Sequence, residues 1–153
     1  MKHLLIVYHS QTGHTAAMAE AVGRGARSPD VAGVEVRTLR AAEAGPDDLL
    51  WADAVILGSP ENFGYMSGAM KDFLDRTYYP CEGKVESLPY AIFISAGNDG
   101  TGALRSIRRI AQGYPLREVQ EAVIVKGELS APDLERCEEL GTTMAAGLEI
   151  GVF

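Results

Sequence analysis

Cysteine is scarce in this chain. Only Cys81 and Cys137 occur in 153 residues, with no CxxC pair and no cluster among the three histidines, so neither a zinc site nor a thioredoxin-like redox pair is indicated. Both read as ordinary thiols in a reducing compartment. Positive charge is short as well. Fourteen lysines and arginines against 21 acidic residues give a formal net charge of -7 and a pI near 4.9. That balance disfavours binding along nucleic acid or to an anionic membrane, both of which rest on clustered cations. Long hydrophobic runs are missing too. The first apolar run follows one lysine and ends in polar residues by His9, too short for a signal sequence or a membrane span. A cytoplasmic protein is expected. Internal repeats and low-complexity tracts are absent. What is present is ordinary for a globular chain: 46% hydrophobic and 23% charged residues argue against disorder, and the length suits one domain with a substantial core.

The stretch His9-Ser10-Gln11-Thr12-Gly13-His14-Thr15 lies between the apolar run Leu4 to Tyr8 and a helical pattern, which predicts a turn from a buried strand into a helix. At a helix N-terminus unpaired N–H groups and the positive dipole end attract phosphate. The hydroxyls of Ser10, Thr12 and Thr15 add donors, and Gly13 permits positive φ or close approach of a ligand. With no lysine or arginine in the turn, any phosphate there would rest on neutral donors. From these seven residues alone a hydroxyl-rich helix cap is an equally good reading.

Further along, Thr15 to about Gly25 reads as a helix, Gly33 to Leu39 as a half-covered edge strand, and Pro46 to Trp51 as a short helix with Trp51 packed against the sheet. Ala54 to Leu57 is a second buried strand, ending in the loop Ser59 to Tyr65. Met66, Met70, Phe73 and Leu74 define a helix face running to about Tyr79. Pro80 to Pro89 is expected to be a loop, Tyr90 to Ala96 a strand, and the helix after it buries Leu104, Ile107 and Ala111. A last strand spans Ala122 to Val125, and Ser130 is the expected N-cap of a final helix.

Strands alternating with helices predict right-handed crossovers and a parallel sheet covered on both sides. Ligands of such sheets bind beyond the carboxyl ends of the strands. Three polar, glycine-bearing turns, at residues 9 to 15, 59 to 65 and 96 to 102, all follow such ends. Several occupants of this architecture are excluded. No G-x-G-x-x-G follows the first strand and no acidic residue ends the second, against dinucleotide binding of the usual kind. There is no G-x-x-x-x-G-K-[ST] loop, no cysteine nucleophile in the first turn, and no acidic pair of the receiver-domain type.

Ser10-Gln11-Thr12-Gly13-His14-Thr15 resembles the [ST]-x-T-G-x-T phosphate loop of flavodoxin-like proteins. Ser59 through Gly68 is similar to the second flavin loop and helix start of their NAD(P)H-dependent reductase branch, which includes quinone reductases. The resemblance covers essentially the whole chain. It implies a flavodoxin-like α/β three-layer sandwich, a five-stranded parallel sheet of order 2-1-3-4-5, and FMN at its carboxyl edge. Carried over by residue, Ser10, Gln11, Thr12, Gly13, His14 and Thr15 would hold the phosphate. Pro60, Asn62, Phe63 and Gly64 would line the ring from one side, with Ser59 and Glu61 counted among the cofactor-binding residues of the same loop, and the backbone of Ala96, Gly97, Asn98 and Gly100 would face the flavin from the other. Glu61 departs from the threonine usual in many of these reductases, and is expected to face solvent or the ribityl hydroxyls.

Carrier flavodoxins commonly sandwich the ring between aromatics of both loops. Here Phe63 and Tyr65 stand in the second loop and Gly97 to Gly102 holds no aromatic, which suggests one open ring face where a nicotinamide or quinone could stack. The expected function is therefore FMN-dependent transfer of electrons from NAD(P)H to a quinone or similar acceptor, with a homodimer possible. The alternatives are an electron carrier served by a partner reductase, to which the acidic charge is suited, and a binding module without flavin. Arg105, Arg108 and Arg109 are read as a solvated helix face.

Overall fold

The computed structural model describes residues 1–153. The chain runs β1 (Lys2–Tyr8), α1 (His14–Ala26), β2 (Val34–Arg40), α2 (Pro46–Trp51), β3 (Ala54–Asn62), β4 (Tyr65–Met66), α3 (Gly68–Cys81), β5 (Pro89–Ala96), α4 (Thr101–Gly113), β6 (Arg117–Glu118), β7 (Val123–Lys126) and α5 (Ala131–Ile150). The sheet order is β2-β1-β3-β5, with β6 and β7 both parallel to β5 in the outermost lane. Counted by lane this is the expected 2-1-3-4-5 order. The two outer segments are out of step: Tyr90 faces Glu118 but Phe93 faces Val123, so the outer lane carries two extra residues and the single expected strand is broken where they bulge.

The alternating directions of strand side chains divide the core into two. Leu4, Ile6, Ala54, Ile56, Ala91 and Phe93 meet Met18 and Val22 of α1 and Leu140, Met144 and Leu148 of α5. Leu5, Val7, Val55, Leu57, Ile92 and Ile94 meet Leu49 of α2, Met70, Phe73 and Leu74 of α3, and Leu104 and Ile107 of α4. Each apolar strand residue thus has a helix over it, which is why these strands read as continuous apolar runs. At the edge, β2 pairs with β1 alone. On the first face α1 and α5 cross closely: a Cβ on Gly25 would lie 1.8 Å from Glu138 O, and one on Gly141 1.9 Å from Val22 O. Cys81 and Cys137 are buried free thiols, one in each core. Burial pushes the Cys137 thiol up to about 11.

Three local readings are corrected. The stretch from Ser59 is not all loop: β3 continues to Asn62, pairing Pro60 with Ser95, and turns back into β4 with Glu61 opposite Met66 and Asn62 opposite Tyr65. Phe63 and Gly64, with φ of 52° and 71°, form the two-residue turn, the type I′ geometry that matches strand twist. Its proline and polar residues had disguised the strand. Met66 consequently belongs to β4, and α3 begins two residues later, where the Ser67 hydroxyl accepts from the Met70 N–H at 3.3 Å. Pro80 and Cys81 close α3 rather than open the next loop.

Trp51 packs at the amino end of the sheet, stacked on His3 with ring centroids 4.3 Å apart and with the Arg37 guanidinium 3.9 Å from its ring centre. Arg105 and Arg109 are exposed, but Arg108 is half-buried and forms a two-pronged pair with Glu118 at 2.8 Å. No helix is long and apolar enough to cross a membrane.

Candidate cofactor site

At the carboxyl edge of the sheet a cavity of about 240 Å³ is lined by Gln11, Thr12, His14, Pro60, Glu61, Asn62, Ser95, Ala96, Gly97, Gly127 and Glu128. All three turns singled out in the sequence contribute to it, because parallel strands end side by side. A larger groove of about 610 Å³ runs elsewhere, along α1 beside β2, and its two arginines are already engaged by Glu138, the Val36 carbonyl and the Thr38 hydroxyl.

The first wall is the turn before α1. The Ser10 hydroxyl accepts from the N–H groups of Gly13 and Ala16 at 3.2 and 3.1 Å, which curls the backbone into a nest and leaves the hydroxyl proton free to donate. Gly13, at φ 106°, supplies the left-handed step that this curl requires. The N–H groups of Gln11, Thr12, His14 and Thr15 have no partner within the chain, and the first turn of α1 carries no acidic residue. This donor set fits a phosphate: four open amides, a helix dipole and short hydroxyls, with no competing carboxylate in the turn. The His14 ring reaches across to Glu128, Nε2 to Oε2 3.6 Å.

The other walls are the hairpin between β3 and β4 and the loop from β5 into α4. They are joined by Glu61. Its Oε1 accepts from the Gly100 N–H at 3.2 Å, and its Oε2 from the N–H groups of Gly102 and Ala103 at 2.9 and 3.1 Å. The expectation that Glu61 faces solvent or ribityl hydroxyls is thereby corrected. Open amides and the dipole at the start of α4 attract a carboxylate. Gly102 lies against the Gly64 backbone, where a Cβ would come within 2.1 Å of the carbonyl oxygen. The Met66 N–H donates to the Ser106 hydroxyl at 3.0 Å.

Of the residues picked from sequence, Gln11, Thr12, His14, Pro60, Glu61, Asn62, Ala96 and Gly97 line the cavity. Asn62 Nδ2 donates to Gln11 Oε1 at 3.3 Å, linking two walls. Others are placed differently. Ser59 is fully buried and its hydroxyl accepts from the Ser67 N–H at 2.9 Å, fixing the start of α3. Thr15 is buried with its hydroxyl 2.7 Å from that of Ser95. Phe63, at 106% exposure, projects from the hairpin into solvent, Asn98 is exposed, and the Gly100 N–H is engaged by Glu61. Ser95, Gly127 and Glu128 also line the cavity and were not picked out. The signal was available for the last two, since they follow the end of the outermost strand as the other turns follow theirs.

The sequence matches the flavodoxin family over residues 6–112. It is 34% identical to a flavodoxin of Aquifex aeolicus, in an alignment covering 99% of this chain and 90% of that one. A quinone-type NAD(P)H dehydrogenase of Acidithiobacillus ferrooxidans is 38% identical over 67% of this chain, which is 60% of the length of that protein. Among solved structures, a flavodoxin from the domain Archaea superposes with a TM-score of 0.78 at 28% identity, covering 95% of this chain and 98% of that one. An amide-lined turn before α1, two facing loops and a sheet of this order, matched along nearly its whole length, place the chain in the flavodoxin family, with that family's FMN-binding fold.

Proposed function

We propose that the protein is an FMN-dependent oxidoreductase that takes a hydride from NAD(P)H and passes electrons to a quinone or a similar small acceptor. The observation that carries this reading is the makeup of the cavity walls. No phenylalanine, tyrosine or tryptophan ring lines the cavity, the loop Gly97 to Gly102 contains none, and Phe63 points into solvent. A flat cofactor held there keeps room for a second flat molecule to stack at hydride-transfer distance. When bound, FMN supplies the hydride-accepting chemistry.

The residues of the chain hold and orient it. The open amides of Gln11, Thr12, His14 and Thr15, with the Ser10 and Thr12 hydroxyls, are suited to the phosphate. Pro60 and Asn62 on one side and Ala96 and Gly97 on the other would flank the ring. With no lysine or arginine in the turn, the dianion would be met by the open amides and the dipole of α1. No side-chain acid or base is required.

The test is anaerobic stopped-flow mixing of the FMN-loaded protein with NADH and with NADPH, followed at the flavin absorbance. Bleaching by either nucleotide, reversed by a quinone, is expected. A second reading, an electron carrier, is favoured by the similarity to the Aquifex flavodoxin along 99% of the chain and by the net charge of -7. Holoprotein that neither nucleotide bleaches, yet a separate reductase does, would establish the carrier. Protein that leaves FMN fluorescence unchanged on titration would refute both.

A further inference from the structure

We propose that Glu61 is a positioning residue that assembles the ring half of the cofactor site before any cofactor arrives. This rests on the flavin reading above and extends it to one residue of the hairpin.

The geometry is that of a clip. One carboxylate, carried on the hairpin, accepts three N–H groups, from Gly100, Gly102 and Ala103. These are orphan donors of the first turn of α4, which no intrahelical carbonyl can satisfy. The N-cap residue of α4 is Gly100, which has no side chain to cap with, so the cap comes from a residue about 40 positions earlier. A local cap would only terminate the helix. A cap from the facing loop also fixes the distance between the two walls, because charge-assisted bonds are short and directional. The Gly102 to Gly64 backbone contact and the Met66 to Ser106 bond hold the same two elements together. By contrast, Gly97, Asn98 and Asp99 make no hydrogen bond to the hairpin. Asp99 accepts instead from the N–H and hydroxyl of Thr101, the residue after Gly100, so the loop meets the hairpin through the start of α4.

The clip has a second consequence. Capped by a carboxylate, the start of α4 has the amides of Gly100, Gly102 and Ala103 already engaged, which leaves the open amides before α1 as the end suited to the phosphate.

The experiment compares the full-length wild-type chain with Glu61→Ala and, as a milder change that keeps one acceptor oxygen, Glu61→Gln. Amide exchange is followed in flavin-free protein, and binding is titrated with FMN and with inorganic phosphate. In Glu61→Ala the amides of Gly100, Gly102 and Ala103 should exchange at least about tenfold faster, with the Ala17 amide of α1 unchanged. FMN should bind about tenfold more weakly, while inorganic phosphate at the first turn binds as before. Glu61→Gln should fall between. Unchanged exchange at the three amides would overturn the clip. Equal weakening of FMN and phosphate would overturn the positioning role, because a general loss of structure would then account for it. If the three amides respond as expected but the wild type binds no FMN, the clip stands and the flavin reading fails.

Discussion

Replacing Gly102 by alanine sets two physical effects against each other in one residue. Gly102 lies in the first turn of α4, and by helix propensity alone alanine should stabilise it by up to about 1 kcal/mol. The packing predicts the opposite. The new Cβ would lie 2.1 Å from the Gly64 carbonyl oxygen, 2.6 Å from its carbon and 3.0 Å from its Cα, all backbone atoms. Ordinary contact begins near 3.4 Å, so the hairpin must retreat by roughly 1.3 Å from α4. Overpacking of this kind costs about 1–3 kcal/mol. The same retreat stretches the Glu61 bonds, now 2.9 to 3.2 Å long, and hydrogen bonds to charged groups contribute about 1.5–3 kcal/mol when intact. Because Glu61 is only half-buried, part of that loss is recovered from water. The net expectation is a destabilisation of about 1–3 kcal/mol, read as a lower midpoint in urea unfolding followed by circular dichroism at constant slope. Gly97→Ala is the control: nothing lies within 4 Å of its added Cβ, and its midpoint should match the wild type to within about 0.5 kcal/mol. A Gly102→Ala protein as stable as the wild type, or more so, would refute the packing argument.

Gly25→Ala pushes a Cβ to 1.8 Å from Glu138 O and strains the 2.9 Å bond from the Thr142 hydroxyl to Gly25 O; separating α1 from α5 should cost about 2–4 kcal/mol, and a melting temperature unchanged to within a degree would contradict it. Phe63→Asn should raise the melting temperature by about 2–4 °C, because asparagine tolerates the φ of 52° and the fully exposed ring gives up no packing. Its FMN affinity should stay within about twofold of wild type, and a large loss would mean that the ring does reach the cofactor. Ser130→Ala removes the side-chain cap of α5, for an expected drop of about 3 °C. The Ser130 hydroxyl and N–H hold the Asp133 carboxyl below its ordinary 3.8. That contribution is complete above 3.8 and is lost as pH falls through the folded value, so the variant should show less acid-induced change there, measured as urea midpoint against pH. At the alkaline end, burial pushes Tyr90 and Tyr114 up to about 12. An unfolded chain releases those protons near pH 10 and the folded one retains them. Stability should therefore hold below pH 10 and fall between about 10 and 12, with a shallower fall in Tyr90→Phe; a flat midpoint up to pH 12 would count against it.

The sequence alone determined the alternation of the main strands and helices, the parallel sheet with its covered faces and the placing of three turns at one edge, because hydrophobic period and glycine punctuation are local signals that adjoining residues carry together; the short β4 and β6 were not legible in it. Ser10, Gly13 and the hydroxyls beside them could be read as a phosphate turn for the same reason. Tertiary structure decided what depends on two distant segments meeting. Nothing near Glu61 in the chain announces that its carboxylate caps a helix about 40 residues later, and only the contact with α4 explains why Gly102 has to lack a side chain. Thr15 and Ser59 look like free hydroxyls until Ser95 and the Ser67 amide are folded against them. Gly127 and Glu128 join the cavity because β7 is registered beside β5. A hydrogen bond is made by whichever donor and acceptor the packed backbone brings within 3 Å or so, and that distance is set by the whole fold.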